Sequence, residues 1–245
     1  MKDMTVDELK GLNLHLRQPV QGPRVNVDTV LLAGFTKVKS GERVCELGCA
    51  HGAVSLILAK RRAISMVGVD LQEHLTAMAR KNAQANSLDD KADFLCGDIR
   101  DVRLLLPPQS FDVVVSNPPY GDPRYHRIGD SPEKTLACHG VRCSVDDVAS
   151  ACRYLLRQRG RAYFVFSAQR LVDLLVSLRS HEIEPKILKP VHPRNHREAT
   201  VFLVKALRGG APGLRLLPPL IVAGEETQFS EELLAYYTPE GSPCP

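Results

Sequence analysis

The stretch Ser116-Asn117-Pro118-Pro119-Tyr120 gathers groups suited to one kind of chemistry, the holding of a planar amino nitrogen. The lone pair of such a nitrogen is delocalised into its ring or carbonyl, so it attacks poorly and must be oriented. The side-chain oxygen of Asn117 and the carbonyl of Pro118 are two acceptors, enough for both N–H bonds of an amine. Pro118 and Pro119 stiffen the loop and bring no N–H of their own. Tyr120 supplies a ring on which a flat base or amide can stack. Asn117, Pro118, Pro119 and Tyr120 are therefore the candidate catalytic residues, acting mainly by positioning. The competing reading is a Pro-rich turn after a buried strand, and structural context decides between them.

That context is a chain of alternating strands and helices. The apolar runs 43–47, 65–70, 92–98, 111–116 and 161–167 read as strands, and 53–61, 72–88, 144–158 and 169–181 read as helices. In the second of those helices Leu75, Met78, Ala79 and Asn82 share one face; in the third Ser144 is a cap, with Val145, Val148, Ala149, Cys152, Leu155 and Leu156 inward. Alternation of this kind predicts an α/β fold, a parallel sheet covered on both faces. The last two strands, 185–191 and 199–206, have only HPRNHRE between them, so they must run antiparallel. Ahead of the first core strand, residues 12–27 read as two short strands around QGPR. Residues 28–37 read as a helix with Asp28 at its N-cap.

The strand ends carry the second set of candidates. The first core strand runs into Glu46-Leu47-Gly48-Cys49-Ala50-His51-Gly52, where glycines let the backbone approach a ligand closely. Asp70, followed by Leu71, ends the second strand, where an acidic side chain can accept two ribose hydroxyls. Asp98, followed by Ile99, ends the third and suits an adenine amino group. Each carboxylate alone is better read as a solvated strand end or a helix cap. Together they mark the carboxyl edge of a parallel sheet, where α/β ligands bind. A dinucleotide would bind similarly, but the strict GxGxxG is absent.

Composition sets outer limits. The chain has 245 residues, 44% hydrophobic and 24% charged, which describes a globular domain long enough to bury a core. No apolar run reaches the roughly 18 to 20 residues of a membrane span. The first ten residues lack a secretory apolar region. The expectation is a cytoplasmic protein without membrane association. The cysteines, Cys45, Cys49, Cys96, Cys138, Cys143, Cys152 and Cys244, are odd in number and show no CxxC spacing. Neither a disulfide framework nor a metal site is expected, and free thiols fit a reducing compartment. The net charge of +4 is mild. Residues 153–161 and 186–208 are basic, including Lys186, Lys189, Arg194, Arg197, Lys205 and Arg208, and suit either a solvated surface or an RNA-facing patch.

The motifs carry a family resemblance. Glu46 to Gly52 resembles the E/DxGxGxG loop of class I S-adenosylmethionine-dependent methyltransferases, with Ala50 in place of a middle glycine. Asn117 to Tyr120 resembles the (D/N/S)PP(Y/F) motif of those that act on amino nitrogens. Over nearly the whole chain the sequence resembles the bacterial tRNA adenine-N6 methyltransferases that modify the purine beside the anticodon of a valine tRNA. The segments that carry this are Gln18, Arg24, Val27 to Ala33, Asn117 to Tyr120, Ala137-Cys138-His139-Gly140, Val191-His192-Pro193, Leu217 to Val222 and Glu231 to Tyr237.

The resemblance implies a seven-stranded sheet ordered 3-2-1-4-5-7-6, with a terminal antiparallel hairpin and a short N-terminal hairpin and helix. It implies an extension at 1–42 closing over the cofactor, a catalytic domain at 43–208 and a tail at 209–245 packed on it. S-adenosylmethionine would be bound by Asp28, Glu46, Gly48, Cys49, Ala50, Gly52, Asp70, Leu71, Asp98, Ile99 and Asn117. The substrate would be tRNA, and the enzyme a monomer without metal. Two departures from the family pattern are His51, where a small residue or Asn is usual, and the loop 121–134.

Other readings share some of these residues. An rRNA amino-methyltransferase or a glutamine N5 methyltransferase would use the same tetrapeptide. The glutamine enzymes, however, resemble a catalytic domain with a separate N-terminal helical domain, and only 42 residues precede the first core strand here. A non-catalytic RNA-binding scaffold of the same fold would have no need of an intact Asn117–Tyr120 and Asp70.

Overall fold

The structure is a computed structural model that describes residues 4–118, 143–223 and 228–238. Its centre is a nine-stranded sheet. In chain order its longer strands are β3 (Arg43–Leu47), β4 (Ser65–Asp70), β5 (Ala92–Cys96), β6 (Phe111–Ser116), β7 (Leu156–Ser167), β8 (Ile183–His192) and β9 (Val201–Arg208). They lie side by side as β5-β4-β3-β6-β7-β9-β8. The first five are mutually parallel, and β9 is antiparallel to both β7 and β8. This is the expected order 3-2-1-4-5-7-6.

The sheet is wider than the expected seven strands. Two two-residue strands, β10 (Arg215–Leu216) and β11 (Leu220–Ile221), pair parallel with the outer edge of β8. The backbone N–H of Leu217 donates to the Leu188 carbonyl at 2.8 Å, and that of Val222 to the His192 carbonyl at 2.8 Å. Pro218 and Pro219 have no N–H to continue the ladder, so it breaks into two short pieces. Leu217 and Leu220 are buried against the edge they cover.

Helices α1 (Val27–Phe35), α2 (Ala53–Arg61) and α3 (Glu73–Ala85) cover one face of the sheet. Leu32, Leu56, Ile57, Phe94 and Tyr163 lie at the heart of that layer. On the other face, α4 (Val102–Leu105), α5 (Val145–Leu155) and α6 (Leu171–Ser180) bury Val114, Cys152, Phe164, Phe166 and Leu174. Ser144 caps α5 in a reciprocal capping box with Asp147. The helix stops at Leu155 rather than at 158, because β7 begins at the next residue without a linker. Leu156 is thus buried as a strand residue.

The N-terminal segment differs most from expectation. Its hairpin is β1 (Met4–Leu9) with β2 (Leu14–Pro19), turning through residues 10–13, where Asn13 has φ 48°. The segment QGPR follows the hairpin instead of turning it. The alternation of Leu14 and Leu16, both fully buried, fixes β2 earlier. Helix α1 is capped by Asn26, whose side-chain oxygen accepts from the Thr29 N–H at 3.0 Å. Asp28 therefore sits in the first turn and not at the cap. There its carboxylate is favoured by the positive end of the helix dipole.

The chain's last described helix, α7 (Glu231–Ala235), brings Tyr236 onto α1. Its ring lies so close over Gly34 that a Cβ there could not fit. The Arg61 guanidinium donates to the carbonyls of Tyr236 and Thr238, holding the tail against α2.

Candidate active site

Four adjacent strand ends form the site, in the order β5, β4, β3, β6. The loop after β3 leaves the sheet sideways. The N–H groups of Gly48 and Cys49 both donate to the Val69 carbonyl of β4, at 2.8 and 3.1 Å. Gly48, Ala50 and Gly52 have φ of 77°, 46° and 84°. Ala50 thus holds, at some cost, the left-handed conformation a glycine would adopt freely. At Gly52 a Cβ would collide with the Phe94 ring, whereas at Gly48 it would meet nothing within 4 Å. Gly48 is an exposed backbone shelf beside open space.

Asp70 orders this shelf. Its two carboxylate oxygens accept from the N–H of Ala50 at 2.8 Å and of Gln72 at 2.9 Å. The side chain is buried, and the rest of its acceptor capacity is unclaimed among the described residues. Leu71 beside it is exposed. Glu46 lies beneath the shelf. One of its oxygens accepts from both the N–H and the hydroxyl of Ser55, tying β3 to the first turn of α2. Burial raises this carboxyl from 4.5 to about 8, with the Ser55 hydrogen bonds pulling the other way. Cys49 also points inward: it is buried, and burial raises its thiol well above the ordinary range.

At the end of β5 the Asp98 carboxylate is already engaged. Arg100 reaches it with its backbone N–H at 2.9 Å and with its guanidinium through Nε and a terminal nitrogen. These hydrogen bonds hold the Asp98 carboxyl below its usual range. Ile99 packs at the rim of the core. The sequence reading missed Arg100, although its spacing of two from Asp98 is the signal.

The acceptor loop leaves β6 next to the shelf. Leu47 and Ser116 are register partners, and the Ser116 hydroxyl donates to the Leu47 carbonyl at 2.8 Å. Asn117 is half-buried and Pro118 buried. Pro119 and Tyr120 lie outside the described residues, as do the loop 121–134 and Ala137-Cys138-His139-Gly140. The structure thus gathers Glu46, Gly48, Cys49, Ala50, Gly52, Asp70, Leu71, Asp98, Ile99 and Asn117 on one edge. Asp28 is half-buried in the first turn of α1.

His51, the departure within the loop, is buried with both ring nitrogens lacking a hydrogen-bond partner. Desolvation, followed by the charge of Arg24, lowers its pKa from 6.5 to about 4. It stands as a neutral imidazole. Its backbone carbonyl accepts from Asn82 Nδ2 at 3.0 Å, and the same amide grips Arg17 of β2 through that residue's N–H and carbonyl, at 2.8 and 3.0 Å. One turn on, Asn86 does the same to His15, at 2.9 and 2.8 Å. Asn82 of α3 and Asn86 at its C-cap thereby bind the hairpin as a neighbouring strand would. No helix among the described residues is long and apolar enough to cross a membrane.

Comparison with known proteins gives three findings. A family described as "Methyltransferase domain" matches residues 38–162. A protein of Porphyromonas gingivalis named tRNA1(Val) (adenine(37)-N6)-methyltransferase is 28% identical over 229 residues, 89% of this chain and 85% of the relative. One of the same name from Aeromonas salmonicida is 28% identical over 191 residues, 76% of this chain and 77% of the relative. Among solved structures, a predicted O-methyltransferase from Agrobacterium tumefaciens superposes with a TM-score of 0.73 at 19% identity, covering 88% of this chain and 97% of that one. A geranyl diphosphate methyltransferase in complex with SAM has a TM-score of 0.55 at 12% identity, covering 74% and 84%. These last two likenesses are of fold.

Proposed function

The chain belongs to the methyltransferase-domain family, and from that premise we propose that it methylates the exocyclic N6 of an adenine in the anticodon-loop region of a tRNA. The cofactor is S-adenosylmethionine. The observation that carries the reading is the juxtaposition of Asn117 with the Gly48 shelf, fastened by the Ser116–Leu47 hydrogen bond. The names of the two relatives support the choice of adenine in tRNA.

The site suits the cofactor in its own terms. Gly48 leaves open space where any side chain would stand. Asp70 is held by two backbone N–H groups with acceptor capacity left for ribose hydroxyls. Asp98 can take an adenine amino group once Arg100 yields an oxygen. Gly48, Cys49, Ala50 and Gly52 contribute backbone, and Glu46 braces them from below. Leu71 and Ile99 flank the adenine, and Asp28 with α1 closes the cleft. In this reading 43–208 is the catalytic domain, with 1–42 as the extension and 209–245 as the tail.

When bound, the cofactor supplies a methyl group on a sulfonium, electrophilic enough that the acceptor nitrogen needs no strong base. Asn117 Oδ1 and the Pro118 carbonyl accept the two N–H bonds of the amine and aim its lone pair. Tyr120 stacks on the base, which must leave its loop stack to reach the site. The enzyme acts as a monomer in the cytoplasm, where its substrate is.

The test is mass spectrometry of nucleosides from the tRNA of a deletion strain. Loss of N6-methyladenosine is expected. Retention of that nucleoside, or loss of a different methylated base, would overturn the substrate assignment.

A further inference from the structure

The two basic segments of the chain are sent to opposite edges of the sheet. Residues 153–161 lie at the amino edge, where Phe111 of β6 is register partner to Leu156. Three of their four guanidinium groups are occupied there: Arg153 pairs with Glu182 at 2.8 Å, Arg157 with Asp112 at 2.8 Å and Arg161 with Glu42 at 2.6 Å, while Arg159 stands exposed and alone among the described residues on that edge, remote from Asn117. Within 186–208, Lys189 is buried on Glu232 at 2.6 Å, Lys186 donates to the Ala211 carbonyl at 2.8 Å, and Arg208 is buried.

The loop 193–200 between β8 and β9 is different. Val191 and Ser167 are both register partners of Val201, and Phe164 of the same β7 strand is partner to Ser116. The loop therefore stands on the carboxyl edge, the edge of Asn117. Three strand spacings, about 15 Å, separate β8 from β6. The loop backbone is fixed. The Arg197 N–H donates to the Arg194 carbonyl at 3.0 Å, and His192 Nδ1 to the Arg197 carbonyl at 2.6 Å. From the tail, Ala223 donates to the Pro193 carbonyl at 3.1 Å. The side chains of Arg194, His196 and Arg197 are exposed and without a partner among the described residues. A rigid turn presenting two unpaired guanidiniums is a fitting receptor for phosphate. At about 3.4 Å per stacked nucleotide, the separation corresponds to roughly four nucleotides.

We propose that the 193–200 loop is the clamp for the RNA backbone flanking the target base, with Arg194 and Arg197 each neutralising one phosphate. This rests on the tRNA reading above. The amino-edge segment 153–161 takes no part.

The test uses the full chain and an unmodified tRNA transcript, with affinity measured between roughly 50 and 200 mM salt. For the wild type, log affinity should fall steeply with log salt. In the double variant Arg194→Ala/Arg197→Ala the slope should shrink by about 1.4, near 0.7 per lost contact to a single-stranded phosphate. The KM for tRNA should rise roughly 10- to 100-fold, with kcat and S-adenosylhomocysteine affinity unchanged, and lysine at both positions should restore most of the slope. Arg153→Ala/Arg157→Ala/Arg159→Ala should behave as wild type. An unaltered slope in the first variant, or the loss appearing in the second, overturns the clamp while leaving the tRNA reading intact. A wild type that binds tRNA without salt dependence overturns both.

Discussion

Ser116 and Leu47 end neighbouring strands, and the hydroxyl of one donates to the carbonyl of the other at 2.8 Å. Leu47 opens the Gly48 shelf and Ser116 opens the Asn117 loop, so this one bond sets the spacing between the two halves of the reaction. Ser116→Ala should lower single-turnover methylation roughly 10-fold, between the cost of a lost hydrogen bond and that of a misplaced reactant. Cofactor affinity should hold. Calorimetry with S-adenosylhomocysteine beside rapid-quench kinetics separates the two effects, and an unchanged rate would remove Ser116 from the positioning machinery.

Asn117→Ala should lower turnover at saturating cofactor by roughly 100-fold or more, with cofactor binding nearly intact, because its oxygen is assigned to the substrate amine. Tyr120→Ala should weaken substrate capture by about 1 to 3 kcal/mol, the stacking range for one base, and Tyr120→Phe should be mild. Near-normal turnover by Asn117→Ala would reduce the tetrapeptide to a turn.

Asp70→Ala should weaken S-adenosylmethionine binding by about 1.5 to 3 kcal/mol, the range for a hydrogen bond to a charged group. The same carboxylate holds the Ala50 and Gln72 amides, so hydrogen exchange at those two positions should accelerate in parallel. Titration calorimetry giving wild-type affinity would contradict the assignment.

His51 yields a prediction about acid stability. Its imidazole is neutral in the fold, with a pKa near 4, against 6.5 ordinarily. Between those values the unfolded chain binds the proton and the folded one does not, so the His51 contribution to stability falls as pH drops from about 6.5 towards 4, while buried Glu46, raised to about 8, contributes with the opposite sign. The full loss is about 3 kcal/mol. The gain in urea-denaturation stability of His51→Leu over wild type should therefore grow as pH falls through that window, and at neutral pH the variant should be at least as stable, since it removes two unpartnered polar atoms. A pH slope identical to wild type would mean that His51 is not the group responsible.

Much of the fold could be read from the chain because buried parallel strands are short unbroken apolar runs. Strands 43–47, 65–70 and 111–116 lie within the expected bounds for that reason. The strand ends in turn assembled the site on one edge. What escaped was long-range or too short to be periodic. Residues 10–13 carry no strong turn signal, while QGPR does, so the hairpin was misplaced. The strands at 215–216 and 220–221 exist only because β8 has a free edge. The grip of Ser55 on Glu46 and of Asn82 and Asn86 on β2 depends on which residues meet in space. No local pattern encodes those meetings.

The seat of Tyr236 on Gly34 has a consequence for how the chain is made. Helix α1 leaves the ribosome about 200 residues ahead of the ring that seals it. Until the ring arrives the Gly34 slot stays uncovered, although the sheet behind it can already assemble as it emerges. Arg61 then draws the arriving tail across α2 through the carbonyls of Tyr236 and Thr238. The layer that holds α1 is thus made well before it is sealed, and α7 must be present before the Gly34 slot is closed.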